Sequence, residues 1–310
     1  MHKVLAKNTL YNLSVSKMEQ QYHQSIIATT TLNGNTEKQK LNRIIDYKSQ
    51  SHIKNTYDIS FKIKENKLQL ATKYKKQEGL TKQIAKVIDT IDLEVSNVNK
   101  PLKIKNHNQV ISKWQTLETK LNKHYKGKHA ETYFFGLNKR FNNQESLLNN
   151  LLQLRNFGAF FMLPFNLYHL NRVYKNKRTI DNMVAKLPLC IDEEFTLTQS
   201  SNTQATFEIT GTLHENQKYP RKLKNHFSRQ NISKENTLKL KEYLGYITLD
   251  KTNGLLEEFQ LNITISCGEN CFFKSHQACS SDGKKIWLAV LLRGARPSQI
   301  GHTLHYCKCH

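Results

Sequence analysis

Two stretches of this chain alternate apolar and polar residues with a period of two, and no other feature restricts the fold as strongly. Residues 57–63 follow this alternation in the first half of the chain, and residues 259–265 follow it in the second half. Because successive side chains of a strand point to opposite faces of a sheet, the alternation is typical of half-buried antiparallel strands. Asn-Gly pairs at Asn33–Gly34 and Asn253–Gly254 suit the positive φ angles of strand-connecting turns. Both regions are therefore predicted to form antiparallel sheet.

A helical period separates the two β regions. Apolar residues recur at helical spacing over 80–91, and Asn106 is a suitable N-cap for a second helix that carries Trp114. Residues 128–185 have a mainly helical pattern, with an apolar face over 147–154. We expect an α+β fold in which antiparallel β-sheet portions flank a central helical block, either as one curved sheet or barrel-like structure or as two β-rich lobes.

These patterns divide the chain into four parts. They are an N-terminal β-rich region with one helix (1–106), a helical block (107–191), a C-terminal antiparallel β region (192–266) and a Cys/His-rich tail (267–310). The composition changes abruptly at the start of the tail, so we expect the tail to be non-native or irregular.

The chain is strongly basic, with 47 Lys+Arg against 25 Asp+Glu and a formal net charge of +22. Lysine far outnumbers arginine and asparagine is abundant, as in proteins of AT-rich genomes, so most of this charge is interpreted as solvated surface. Two clusters interleave aromatic rings with cations, as binders of single-stranded nucleic acid do. The candidate phosphate or nucleic-acid contacts are Lys120, Lys123, Tyr125, Lys126 and Lys128 in the first cluster, and Arg221, Lys222 and Lys224 in the second.

The most apolar stretch of the chain is Phe157–Leu170. It fits a buried segment better than an exposed docking surface, which is the alternative. The candidate protein-contact residues in it are Phe157, Phe160, Phe161 and Phe165.

The tail carries residue types that bind zinc. The candidate ligands are Cys267, Cys271, Cys307, Cys309 and His310. Their spacing matches no standard zinc finger, and disulfides or an aberrant extension are alternative explanations. Apart from this structural zinc, no cofactor is expected.

No motif for catalysis or nucleotide binding is present: the sequence lacks Gly-x-Gly-x-x-Gly, a Walker A loop, His-Glu-x-x-His and Gly-x-Ser-x-Gly. Glu193 and Glu194 are interpreted as solvated charges, since adjacent carboxylates on a strand point to opposite faces. The basic start lacks the apolar run of a signal peptide, and the stretch at 157–170 is shorter than the roughly 20 residues that span a bilayer. We therefore expect a cytoplasmic protein without a transmembrane segment, and the balance is against an enzyme.

Residues 93–106 are followed by the predicted Trp114 helix and by Tyr125–Gly127. This pattern resembles uncharacterised proteins of AT-rich Gram-negative bacteria that are associated with contractile injection systems, and the resemblance implies a hairpin that leads into a Trp-containing helix. The resemblance spans residues 90–165, implies no catalytic residue and does not include the tail after Ser266.

The expected function is that of a non-enzymatic, intracellular binding or assembly protein of a bacterial multiprotein complex. Its protein partners would contact the sheet faces and the aromatic stretch. One alternative is a basic nucleic-acid-associated protein that uses the two lysine-rich clusters. The other is a barrel-type carrier that holds an apolar ligand inside a curved sheet. The sequence does not fix the oligomeric state.

Overall fold

A computed structural model describes residues 8–10, 18–51, 56–184, 187–214, 238–268 and 271–281. Within these ranges the strands are β1 (Asn8–Leu10), β2 (Met18–Leu32), β3 (Asn35–Ser51), β4 (Thr56–Gln69), β5 (Thr90–Ser96), β6 (Pro101–Ile104), β7 (Leu167–His169), β8 (Val173–Val184), β9 (Leu187–Ser200), β10 (Gln204–Leu213), β11 (Leu238–Asp250), β12 (Leu256–Cys267) and β13 (Cys271–Ser281). The α-helices are α1 (Lys75–Ala85), α2 (His107–His124), α3 (Lys128–Asn142) and α4 (Gln144–Leu151). Short 3₁₀ turns lie at Thr72–Tyr74, Lys86–Ile88 and Gly158–Phe161.

Eleven of the described strands form one antiparallel sheet in the order β6-β5-β4-β3-β2-β13-β12-β11-β10-β9-β8. Each half of the sheet is a meander whose neighbouring strands are also neighbours in sequence. The two meanders join where β13 pairs with β2, from Cys271 opposite Leu32 to Ser281 opposite Tyr22. The sheet is curved and open, since β6 and β8 do not pair with each other among the described strands. The prediction of antiparallel sheet portions in one curved sheet is confirmed, whereas barrel closure and separate lobes are not found.

The chain between β6 and β8 covers the inner face of this sheet and joins both halves in one hydrophobic core. The Phe157 ring stacks on Phe61 of β4 with the ring centroids 4.4 Å apart. Farther along the same segment, the Tyr168 ring meets Phe207 of β10 edge-on at 4.9 Å. Apolar residues at alternate positions of the strands therefore find their partners in this connection as well as in each other. No helix in the described residues is long and apolar enough to cross a membrane.

The helical block is shorter than the predicted range of 107–191. The last described α-helix ends at Leu151, and residues 173–184 and 187–200 are the strands β8 and β9. On the inner face of β8, Asn176 and Arg178 occupy positions where an apolar residue would complete a period-two pattern. Because of these two polar residues the sequence of β8 does not show a period-two pattern, and the segment is a strand because it pairs with β9.

The tail is also different from the prediction, because β13 lies in the middle of the sheet between β12 and β2. Its buried alternate residues include Cys271, Phe273, Ser275 and Gln277. Small and polar side chains at inward positions break the apolar alternation, so the sequence pattern did not predict this strand. The expectation of an irregular tail is therefore wrong for residues 271–281, and residues 282–310 lie outside the described part of the chain.

One predicted boundary in the first half of the chain also differs from the structure, and another is confirmed. The helix expected over 80–91 ends as an α-helix at Ala85, and Ile91 belongs to β5. The second helix begins after Asn106 as predicted.

Candidate functional site

The C-terminal end of α2, the loop after it and the outer face of α3 present one exposed basic surface. We call it the basic helical surface; its members are Lys120, Lys123, Tyr125, Lys126, Lys128, Phe135 and Lys139. All five residues of the first predicted cluster are exposed, and α3 adds Phe135 and Lys139.

The sequence of α3 explains why its outer face is available. Phe134, Leu137 and Phe141 are buried against the core. Helical spacing then places Lys128, Phe135 and Lys139 on the opposite face at i, i+7 and i+11. Gly127, with φ of +97°, lies in the short connection between α2 and α3, in a left-handed conformation that favours glycine.

Two aromatic rings of this surface are open to solvent. The Phe135 side chain is 72% exposed. Tyr125 is exposed as well, and its ring meets the buried Phe134 ring edge-on at 6.3 Å. Large apolar rings are normally among the best-buried side chains, so the open ring of Phe135 is a candidate contact for a partner.

The charges of the lysines at 120–128 are not neutralised by ion pairs within the described residues. Within the described residues, none of Lys120, Lys123, Lys126 and Lys128 forms an ion pair. Lys113 at the other end of α2, in contrast, bonds to Asp89 at 2.7 Å. Residues 105–172 contain seven Lys and three Arg against three Glu and no Asp, which gives a formal charge of +7. The helical connection therefore carries about a third of the chain's net charge of +22.

A second polar feature lies on the inner face of the sheet, where sequence reasoning missed it. Glu193 on β9 is fully buried. It accepts hydrogen bonds from Arg178 Nε at 2.6 Å, from Asn176 Nδ2 at 3.0 Å and from the Tyr243 hydroxyl. Burial, and next the charge of Glu193, raise the pKa of Tyr243 well above its ordinary value. The interpretation of Glu193 as a solvated charge is therefore wrong, although alternation does place it and Glu194 on opposite faces.

The aromatic candidates for protein contact lie in the core. Phe157 and Phe165 are buried, and Phe160 and Phe161 are partly buried and packed against the same core. Phe160 contacts the Tyr22 ring at 4.8 Å, and Phe165 stacks on Tyr57 at 6.5 Å. The prediction of a buried segment is confirmed for the aromatic residues of the stretch, and Phe157 and Phe165 do not form an exposed docking surface, whereas Leu167 and Leu170 at its end are exposed.

The candidate zinc ligands are only partly described. Cys267 and Cys271 are buried in the sheet, and burial raises the pKa of their thiols to about 11 and about 12. Within the described ranges, no group of three or more His, Cys, Asp or Glu side chains is arranged to hold a metal ion.

Six further candidates lie outside the described residues. They are Arg221, Lys222 and Lys224 of the second basic cluster, and Cys307, Cys309 and His310 of the tail. The second phosphate cluster and a zinc site that includes the end of the tail stay predictions.

Comparison with known proteins assigns no family to the chain. No family model matches the sequence, and no curated protein matches it. Among solved structures, one of lipid–protein interactions in lipovitellin is similar over 87% of this chain and 25% of that chain, with 9% sequence identity and a TM-score of 0.45. At that level of likeness the function has to be inferred from the surfaces and cavities of this chain alone.

Proposed function

We propose that this protein is a non-enzymatic binding protein that docks single-stranded nucleic acid on the basic helical surface. The observation that supports the proposal is the 72% exposed ring of Phe135 on a helix face that also carries Lys128 and Lys139. Aromatic rings stack on bases of any sequence, and lysines attract the phosphates between those bases. Lysine is a point charge that does not read base edges well, so we expect binding with little sequence preference.

Single-stranded nucleic acid fits this surface better than a duplex. Phe135 and Tyr125 are solvent-exposed rings, and the faces of unstacked bases are available only in a single strand. The cytoplasmic location and the bacterial complex expected from the sequence remain parts of this proposal, which rest on the composition and on the resemblance of residues 90–165.

The proposal is tested by fluorescence anisotropy with a labelled 20-nucleotide single strand at several salt concentrations. The variant Lys123→Glu/Lys126→Glu should weaken binding and lower the slope of log K against log salt by about 1.4, because each lost phosphate contact removes about 0.7. Phe135→Ala should weaken binding by about 5- to 150-fold, which corresponds to the loss of one stacked base at 1–3 kcal/mol.

The matched control is Lys62→Glu/Lys67→Glu. Both lysines are exposed on β4, on the far side of the sheet, and the double variant changes the net charge by the same amount. If this control weakens binding as much as the Lys123/Lys126 variant, the attraction is one of overall charge and the assigned surface is wrong. Absent or salt-independent binding of the wild-type protein contradicts the proposed function itself.

The assembly role expected from the sequence is a second candidate, and a different surface supports it. Leu167, Leu170 and Val173 are exposed where the chain enters β8, an edge strand with one paired neighbour among the described strands. Exposed strand edges pair readily with another strand. If copies of the chain associate through this edge, sedimentation velocity will show concentration-dependent dimers that Leu170→Lys/Val173→Lys abolishes. A wild-type monomer at all concentrations contradicts this role for the edge.

A further inference from the structure

A cavity of 550 Å³ lies between the inner face of β8 and β9, the chain after the Gly158–Phe161 turn and the turn between β5 and β6. Its volume falls within the range of roughly 300–1,000 Å³ that is typical of small-molecule sites. The walls are mainly aromatic and aliphatic, and include Phe161, Met162, Tyr168, Tyr174 and Phe195. The rings of Tyr168 and Tyr174 pack edge-on against each other at 4.7 Å, so this wall is held in place.

One guanidinium lines this apolar cavity. Arg178 lines the cavity with a side chain that is 13% exposed, and its Nε donates to Glu193 Oε1 at 2.6 Å. Glu193 is itself fixed by Asn176 and Tyr243, so the position of the guanidinium is set before any ligand arrives. Gly211 keeps the space for this arrangement, because a Cβ there would lie 2.8 Å from both the Tyr243 ring and the Ile191 side chain.

The charges around the cavity favour an anion. Glu193 balances Arg178, and the other charged side chains that line the cavity are Lys100 and Lys175. Lys175 pairs with Glu194 at 3.4 Å, but both side chains are largely exposed, so this pair screens little. A guanidinium carries five N–H donors in a planar fork, and those that do not bond to Glu193 or Tyr243 can bond to the oxygens of a carboxylate.

We infer that this cavity binds a small aromatic carboxylate, with the carboxylate on Arg178 and the ring between the aromatic walls. Flat rings suit the offset and edge-on contacts that Phe161, Tyr174 and Phe195 offer. The inference is independent of the nucleic-acid proposal, because the cavity lies on the inner face of the sheet and shares no residue with the basic helical surface.

Isothermal titration calorimetry with 1-naphthoate tests the inference, and 1-naphthamide serves as the neutral probe of the same shape. We expect one molecule of naphthoate per chain and at least tenfold weaker binding of the amide, because the ionic hydrogen bonds to Arg178 are lost. Arg178→Lys keeps the charge opposite Glu193 and should weaken naphthoate binding at least tenfold by removing the planar fork.

A second variant tests the site without changing the buried charges. Val98 lies at the mouth of the cavity and is 45% exposed, so Val98→Trp should block entry. Leu102→Trp is the matched control, since Leu102 is 46% exposed on the same hairpin and does not line the cavity. The expected result is loss of binding in the first variant and wild-type binding in the second.

Three results would overturn the inference: no binding of naphthoate, equal binding of the amide, or equal binding by the Val98 and Leu102 variants. Lys123→Glu/Lys126→Glu should leave naphthoate binding unchanged. A loss in that variant would show that naphthoate binds to the basic helical surface and not in the cavity.

Discussion

Truncation of Phe157 measures how strongly the helical connection is anchored to the sheet. Phe157 is 1% exposed, and its ring stacks on Phe61 at 4.4 Å. Replacing a buried phenylalanine with alanine costs about 3–5 kcal/mol, from lost burial and from the cavity that remains. A chain of 310 residues has an unfolding entropy of about 0.65 kcal/mol/K, at about 2.1 cal/mol/K per residue. Phe157→Ala should therefore lower the melting temperature by about 5–8 °C.

Differential scanning calorimetry provides the measurement, with Phe135→Ala as the matched control. Phe135 is 72% exposed, so its loss should change stability by less than about 0.5 kcal/mol and the melting temperature by less than about 1 °C. If Phe157→Ala melts within about 1 °C of the wild type, Phe157 is not part of the core and the docking-surface interpretation returns. If both variants lose several degrees, the contrast in burial is wrong.

Three further perturbations test other contacts of the fold. Hydrogen bonds from Lys75 and then Lys82 hold the pKa of Glu78 at about 2, below its ordinary value of 4.5. A depressed carboxyl pKa stabilises the folded protein fully above pH 4.5, and this stabilisation is lost as the pH falls toward 2. The urea-unfolding midpoint of Glu78→Gln should therefore fall less steeply over that pH interval than the midpoint of the wild type. Gly245→Ala would place a Cβ 2.1 Å from a backbone oxygen of the neighbouring strand and should lower the free energy of unfolding by about 1–3 kcal/mol. A Cβ at Gly79 in α1 meets nothing within 4 Å, so Gly79→Ala should raise the free energy of unfolding by about 0.5–1 kcal/mol. Urea titrations of both variants measure these changes. Because burial raises the pKa of the Cys271 thiol to about 12, its alkylation by iodoacetamide at pH 8 should be much slower in the folded protein than in urea, and rapid labelling of the folded protein would contradict the burial.

The local sequence pattern was sufficient to predict much of the basic helical surface. The lysines at 120–128 fall at a helix end and in the loop after it, where solvation needs no tertiary partner, and they are exposed as predicted. The part contributed by α3 was not predicted, because its exposed Phe135 and its buried Phe134 are adjacent in sequence. Which of two neighbouring aromatic residues points outward depends on the rotation of the helix against the core.

The sequence by itself determined the antiparallel meanders, since period-two alternation and Asn-Gly turns are local signals that act between consecutive strands. It also determined that an apolar stretch around Phe157 would be buried. Only the tertiary structure decided that β13 pairs with β2, a contact between residues about 250 positions apart that local propensity does not specify. Only the tertiary structure likewise decided the burial of Glu193, because the period-two pattern predicts only that Glu193 and Glu194 face opposite sides of the sheet. Its burial depends on Arg178 and Asn176 of β8 and Tyr243 of β11, whose hydrogen bonds offset the desolvation of its charge.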